Sequence, residues 1–488
     1  MTERSTPEPA DAASAAGVAP DAASRHLLVV GDTDSYLKWG AALATRLPAG
    51  WRSDLAILAT DVRPSARQLA AALTGTRWAT DAPHRVHLAD LAALVAELRP
   101  DAVLLALRGP LVRVVAPHLH ALPDRPVLVS GFPGLTIPAV PKATIYREQV
   151  DLVVLHSRRE VRDFTGVAQA LPQRPRFALG TLPFLADAAA ASAAAAAPAT
   201  GSMRGPEASD IVFAVQAKVP ATRDERVALV GILGETARRN PSRRVVVKVR
   251  ARAGEAQTHL EEFDLGELIA DPAVHRELGF TLPANLVIED GPMAAHLARA
   301  AALVTVSSTA VLEAIAAGVP ALLLDDFGIG PKQINVVFAG SGLFGDGAAL
   351  AAGDWRLPEP AWLDDNYFHP ASDDDWLVAL DELIVERTAA PLPALERRHN
   401  LTGGALRRAF ERRKMLGSED REPLGTVAMA FAIPARGAVR AVRRARRVLA
   451  GGAGDVGAAV QPVRSSTGLG RAPEARSALE VAGQVHER

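Results

Sequence analysis

Three consecutive hydroxyl residues, Ser307, Ser308 and Thr309, stand between an apolar run and a helix-like segment in VTVSSTAVLEAIAAGVPALLLDD (304–326). The apolar run ends at Val306, and the spacing predicts a helix from about Thr309 to Ala317, stopped by Gly318 with Pro320 behind it. Such a junction offers backbone N–H groups and hydroxyls, and the helix dipole favours an anion there. The trio would suit a phosphate, and it would serve equally as a set of helix caps. Lys248 and Arg250 alternate on one side of a predicted strand and could both point into a cleft as phosphate-binding cations. His259, in GEAQTH, is either a phosphate contact or a solvated loop histidine.

Acid–base chemistry points to GDTDSY (31–36), which follows an apolar run. Ligands collect at the carboxyl ends of strands in open α/β sheets, so Asp32 and Asp34 are placed where a ligand would meet them and could do acid–base work. Asp34 is also suited to capping the next helix. Gly131 and Gly134 of GFPG could form an anion-binding turn or a plain one. His156 and Ser157 end a further strand on the same sheet edge, Ser157 reading first as an N-cap. Lys142, Tyr146 and Arg147 are candidate acceptor contacts, while Gln216 and Lys218 end a later strand that faces the expected cleft. Gly291 opens a helix where a nucleotide base could approach. The Asp325-Asp326 pair is too little for a metal site, and no metal is expected. Walker, Rossmann, GxSxG and HExxH signatures are absent.

The elements that must hold these residues alternate between β and α. Strands are predicted at 26–33, 54–60, 101–107, 125–131 and 151–157, with helices at 35–47, 64–74, 89–98, 111–121 and 158–169. After a low-complexity stretch at 186–209 the pattern restarts. Strands are predicted at 210–217, 243–250, 285–290, 302–307 and 320–326, with helices at 222–239, 292–300, 309–317 and 331–339. Alternation of this kind implies parallel sheets covered on both faces. The expected organisation is a disordered segment 1–24, a first Rossmann-like α/β domain 25–185, a linker 186–209, a second α/β domain 210–390, a basic helical extension 391–450 and a disordered tail 451–488. Six arginines between 436 and 447 could rest on anionic lipid or form a solvated or partner-bound helix.

Composition limits the alternatives. The 488 residues contain no cysteine, which removes disulfides, zinc fingers, iron–sulfur clusters and thiol catalysis. A net charge of −1 argues against a nucleic-acid partner held by a basic field. Only six of the 54 basic residues are lysine, at 38, 142, 218, 248, 332 and 414. There is no secretory leader pattern and no apolar run of about 18 residues, so a cytoplasmic protein is expected, with the inner face of the membrane as its place of work if the basic tail binds lipid.

The pattern strand–SST–helix–AxxxGVP–strand resembles the donor domain of GT-B glycosyltransferases, above all bacterial sialyltransferases, polysialyltransferases and related CMP-sugar-using enzymes. The segments GDTDSYLKWG, GFPGLTIPAVPKATIYREQVDLVVLHSRREVRDF and VKVRARAGEAQTH are similar to an uncharacterised glycosyltransferase-like family from GC-rich bacteria. The likeness spans roughly residues 26–385. It implies two Rossmann-like domains facing a cleft, with a nucleotide-sugar donor as substrate, no separate cofactor, and a glycan or lipid-linked acceptor. It implies a donor-phosphate set of Ser307, Ser308, Thr309, Lys248, Arg250, Gln216, Lys218, Gly291 and Glu313, and a base at Asp32 or Asp34. One departure stands out: the Lys-x-His-Pro of many such enzymes is replaced by Lys248-Val249-Arg250, without the His-Pro pair. An epimerase-like enzyme acting on nucleotide sugar, or a non-catalytic nucleotide- or glycan-binding protein, are the alternatives.

Overall fold

The computed structural model describes residues 25–185, 209–249 and 262–430. It contains two parallel sheets. The first has seven strands: β1 (Arg25–Gly31), β2 (Trp51–Leu58), β3 (His84–Val86), β4 (Ala102–Ala106), β5 (Val127–Gly131), β6 (Leu152–Leu155) and β7 (Arg176–Leu179). Their spatial order is β3-β2-β1-β4-β5-β6-β7. The second has β8 (Asp210–Ala214), β9 (Arg244–Lys248), β10 (Leu286–Glu289), β11 (Ala300–Thr305), β12 (Ala321–Leu324) and β13 (Phe344–Gly345), in the order β10-β9-β8-β11-β12-β13. The central strands are unbroken apolar runs because helices cover both faces; β4, β5, β6, β8 and β12 are buried at every residue.

The order of each sheet reverses once, between β1 and β4 and between β8 and β11. At such a switch point the following loops part to opposite faces and leave a crevice outside the carboxyl ends of the strands. The loops there carry Asp32 and Arg108 in the first sheet, and Gln216 and Ser307 in the second.

One apolar cluster joins the two halves. It runs from Val29, Leu104 and Val129 through Trp39 and Ile137 to Ala310, Val311 and Val337. The chain also returns to the first sheet after passing through the second. The helix Trp376–Ala389 falls within the expected donor domain, yet it packs against β5, β6 and β7. Asp375 accepts from the Leu179 N–H and Asp374 from that of Thr181, while Arg387 donates to the Arg125 carbonyl. The basic helix Gly404–Leu416 packs on the helix Gly109–His120, and Leu416 joins the core that holds Leu111 and Leu119. Several of its arginines are neutralised locally, Arg407 by Glu411 and Arg412 by Asp420 and Glu422.

Some elements differ from expectation. The helix predicted over 331–339 is a series of turns with a single 3-10 turn, Val336–Phe338. Pro331 follows two glycines, and the buried Asn335 side chain ties down the loop by accepting from the Gly330 N–H and donating to the Gly328 carbonyl. The helix predicted over 292–300 stops at Leu297, because β11 begins at Ala300. The segments 1–24, 186–208, 250–261 and 431–488 lie outside the described residues, and with them Arg250, His259 and the arginines at 436–447.

Candidate functional site

At the switch point of the first sheet, Asp32 leaves the end of β1 fully buried. Arg108, just beyond β4, holds one carboxylate oxygen, with Nε 3.0 Å and Nη2 2.8 Å from Oδ2. The other oxygen, Oδ1, is buried and has no hydrogen-bond partner. Burial pushes the carboxyl of Asp32 above its ordinary value, and Arg108 only partly opposes this. Asp34 is different. It opens α1 (Asp34–Thr45), is partly exposed and touches only the Ser35 hydroxyl, while Thr33 occupies the N-cap position.

Arg147 is sealed behind this edge. Its guanidinium stacks 3.9 Å from the Phe132 ring centroid and donates to Ser130 Oγ, the Gly131 carbonyl and the Ala143 carbonyl, none of them a carboxylate. Burial lowers its pKa. It acts as a scaffold for the GFPG loop. Lys142 is exposed, with Nζ 5.9 Å from the Tyr146 ring centroid.

His156 is also turned inwards. Trp39 Nε1 can only donate, and it does so to His156 Nε2 at 2.7 Å; the ring proton is therefore on Nδ1, 2.6 Å from the Gly180 carbonyl it donates to. Burial lowers the pKa of this histidine, which fits its neutral form. Trp39 also explains Gly131. A Cβ there would lie 2.5 and 2.6 Å from two ring carbons of Trp39 and 2.8 Å from the Val154 carbonyl oxygen. Ser157 is an N-cap, accepting from the Glu160 N–H at 3.0 Å.

In the second sheet the hydroxyl trio divides. Ser307 is fully buried, and its Oγ donates to the Ile334 carbonyl at 2.7 Å. Ile334 has φ +59°, a backbone conformation costly for a β-branched residue, so this bond pins a strained loop beside the strand end. Ser308 is partly exposed and accepts from the Ala310 N–H at 3.2 Å. Thr309 is the N-cap residue of the helix Ala310–Ala316, with no side-chain capping bond. That helix has only seven residues, so its dipole is short and cations must supply much of any phosphate binding.

Gln216 and Lys218 follow β8. The buried Arg226 orders their loop by donating to the carbonyls of Gln216, Ala217 and Pro220. Gly291 has φ +109° and is exposed beside His296, whose Nε2 is 3.0 Å from the Asp290 carbonyl. Asp325 and Asp326 end β12 apart from other ligands; among the described residues no group of three metal-ligating side chains occurs.

The two edges meet. Gly134 of the first domain lies against Thr309 of the second, whose Cγ2 would be 3.3 Å from a Cβ at 134. Glu313, one turn further along the helix Ala310–Ala316, is partly buried, which raises its pKa, and the positive charges of Lys38 and then Lys248 oppose the rise. Asp34 and Lys38 are four residues apart on α1 and share one face.

Three residues that position these groups are not among the sequence candidates. Arg108 could have been singled out by its place after β4 at the switch point. Trp39 is buried on α1 and bonds to His156. Glu160 is fully buried and accepts from Thr136 N and Oγ1, His156 N and Tyr367 Oη. Tyr367 belongs to the returning chain, so this carboxylate ties that segment to the first domain.

Two doubly wound parallel-sheet α/β domains, in contact where Gly134 lies against Thr309, give this protein a GT-B-like fold. The sequence matches the family described as "Putative glycosyltransferase (DUF6716)" over residues 27–383, and the chain belongs to that family. No curated protein matches the sequence. Among solved structures, the UDP-GlcNAc 2-epimerase from Methanocaldococcus jannaschii aligns with a TM-score of 0.46 at 10% identity, covering 75% of this chain and 100% of that one. The UDP-GlcNAc 2-epimerase from Neisseria meningitidis bound to UDP-GlcNAc has a TM-score of 0.44 and 12% identity, covering 75% and 99%. UGT89C1 from Arabidopsis thaliana has 0.43 and 15%, covering 75% and 99%.

Proposed function

We propose that this protein transfers a sugar from a nucleotide donor, with a CMP-linked sugar as the first candidate, to a hydroxyl of a cell-surface glycan or its lipid-linked precursor. The observation that supports this reading is that two doubly wound sheets meet beside their strand-end loops, where Gly134 of the first domain lies against Thr309 of the second. The donor would bind along the ends of β8, β9 and β11, near Gln216, Lys248, Ser308 and Thr309, with Gly291 towards the base. Ser307 would hold the loop around Ile334 in place. Asp34, the accessible carboxylate, would take the proton of the acceptor hydroxyl as its oxygen attacks the sugar carbon. The bond from that carbon to the phosphate oxygen breaks, and the nucleotide leaves with the electron pair. Asp32 would orient Arg108 rather than meet the acceptor. Cations and hydrogen-bond donors at the cleft would stabilise the leaving phosphate without a metal.

Contact with a membrane belongs to the same proposal. Among the described residues no helix is long and apolar enough to cross a bilayer. Leu401, Leu406, Leu424 and Val427 are exposed, and in the sequence they precede the arginine-rich segment. Together they would suit an anionic lipid surface that carries the acceptor.

The test of the nucleotide reading is thermal unfolding against CMP, UDP, GDP, ADP and dTDP. A nucleotide at 100 times its Kd stabilises the native state by about 2.7 kcal/mol. A selective CMP response supports the CMP-linked donor, a response to another nucleotide moves the donor class, and no response from any of the five overturns the proposal.

A further inference from the structure

We infer that the acceptor carries an anionic group, a carboxylate or a phosphate, and that Arg108, held in place by Asp32, is the residue that receives it. This rests on the glycosyltransferase reading above and deepens it.

The register of the first sheet sets the place. Gly31 at the end of β1 pairs with Ala106 at the end of β4, and Leu105 of β4 pairs with Ser130 of β5. Asp32, Arg108 and the corner Ser130–Gly131 therefore leave three neighbouring strands at one level. Arg108 turns one side of its guanidinium to Asp32, with Nε 3.0 Å and Nη2 2.8 Å from Oδ2. Nη1 bonds to none of the described residues and is not enclosed, and 30% of the side chain is exposed.

The two oxygens of Asp32 differ in the same way. Oδ2 orients Arg108, while Oδ1 is enclosed without a partner. Burial raises the pKa of this carboxyl, and a proton would settle on Oδ1, the oxygen that no donor occupies. Asp32 can thus fix Arg108 without cancelling its charge.

A second guanidinium stands beside the first. Gly109 follows Arg108, and a Cβ there would lie 3.0 Å from Arg147 Nη1 and 3.1 Å from Tyr146 Cβ. Arg147 has only neutral partners: Ser130 Oγ, the carbonyls of Gly131 and Ala143, and the Tyr36 hydroxyl 3.5 Å from Nη2. Lys142, exposed, reaches to 5.9 Å from the Tyr146 ring centroid. Arg108 is also the N-cap residue of the 12-residue helix Gly109–His120, whose first turn holds no acidic residue, so the positive end of the helix dipole points the same way. Against these stand Asp32 and the partly exposed Asp34; Glu148 is paired with Arg113 and His399. An anion on Arg108 would answer this excess of positive charge, and the guanidinium suits the oxygens of a carboxylate or phosphate.

Ligand-observed NMR titration of the full chain tests this. The probes are glucuronate and glucose 6-phosphate, with glucose as the neutral control. Each is titrated with whichever of CMP, UDP, GDP, ADP and dTDP binds best already saturating, so that the donor phosphate subsite is filled. The variants are Arg108→Gln, Arg108→Lys, Asp32→Asn and the double variant Asp32→Asn with Arg108→Gln, which removes both charges and spares the fold an unpaired buried carboxylate. At least one anionic probe should bind wild type about 10-fold more tightly than glucose, as expected of a charge-assisted hydrogen bond. Arg108→Gln and the double variant should lose that margin, and Arg108→Lys should recover part of it. Asp32→Asn should keep it, since the amide oxygen still accepts from Arg108. A response to glucuronate alone names a carboxylate, one to glucose 6-phosphate alone names a phosphate, and a response to both supports the shared anion site. No preference over glucose, or a preference that survives in both glutamine variants, overturns the inference. Nucleotide binding beside such a result leaves the glycosyltransferase reading standing. If none of the five nucleotides binds, that reading fails, and the acceptor role of Arg108 with it.

Discussion

Replacing Gly131 by Ala separates a scaffold glycine from one that serves a ligand. The added methyl would sit 2.5 and 2.6 Å from Trp39 Cη2 and Cζ2 and 2.8 Å from the Val154 carbonyl oxygen. Trp39 has little room to yield, being 2% exposed and bonded to His156. Overpacking of this kind costs about 1–3 kcal/mol, and a weakened Trp39–His156 bond adds about 0.5–1.5 kcal/mol. Gly131→Ala should therefore lose about 2–4 kcal/mol in urea unfolding. The clashing atoms belong to the outer ring of the indole, which phenylalanine lacks. Trp39→Phe should be destabilising alone, through a cavity and an orphaned His156 Nε2. In the double variant the two costs should fall short of their sum by at least about 1 kcal/mol. Costs that add to within about 0.5 kcal/mol would refute the packing explanation. A stable Gly131→Ala variant with impaired ligand binding would return Gly131 to the acceptor site.

Two further variants test the buried carboxylates. Asp32→Asn should melt higher than wild type at pH 7. Burial raises the folded-state pKa of Asp32, so its ionised form costs stability above that value, and the cost is relieved as pH falls through it. The advantage of the variant should shrink between pH 7 and pH 4; a lower melting temperature at pH 7 would mean that the attraction to Arg108 outweighs burial. Glu160→Gln should lose about 2–4 kcal/mol in urea unfolding, because an amide sets a donor against at least one of the four groups that Glu160 accepts from. A neutral result would show that Glu160 does not anchor the returning chain.

The strands were largely legible because burial on both faces writes them as apolar runs such as DAVLLAL and PALLLDD. The short strands β3, β7 and β13 lack that signature, and β3 is exposed at two of its three residues. The helix expected over 331–339 failed because the side chain of Asn335 bonds to its own loop, a competition that apolar spacing does not reveal. At the candidate site, strand-end position picks out an edge of each sheet. It did not tell which way a side chain turns. Asp32 and Asp34 are two residues apart, yet one is sealed by Arg108 and the other is partly exposed at the start of α1. His156 reads the same whether it faces a ligand or Trp39, and Ser307 reads the same whether its hydroxyl meets a phosphate or the Ile334 carbonyl. These choices are made by residues more than twenty positions away.

The central claim is that a nucleotide binds where the strand-end loops of the two domains meet. Hydrogen exchange of the full chain, with and without each of CMP, UDP, GDP, ADP and dTDP, addresses it directly. The account predicts that at least one nucleotide slows exchange in two separate segments, around 32–38 after β1 and around 307–316 after β11. Protection confined to one domain, protection only away from these strand ends, or none with any of the five would contradict it.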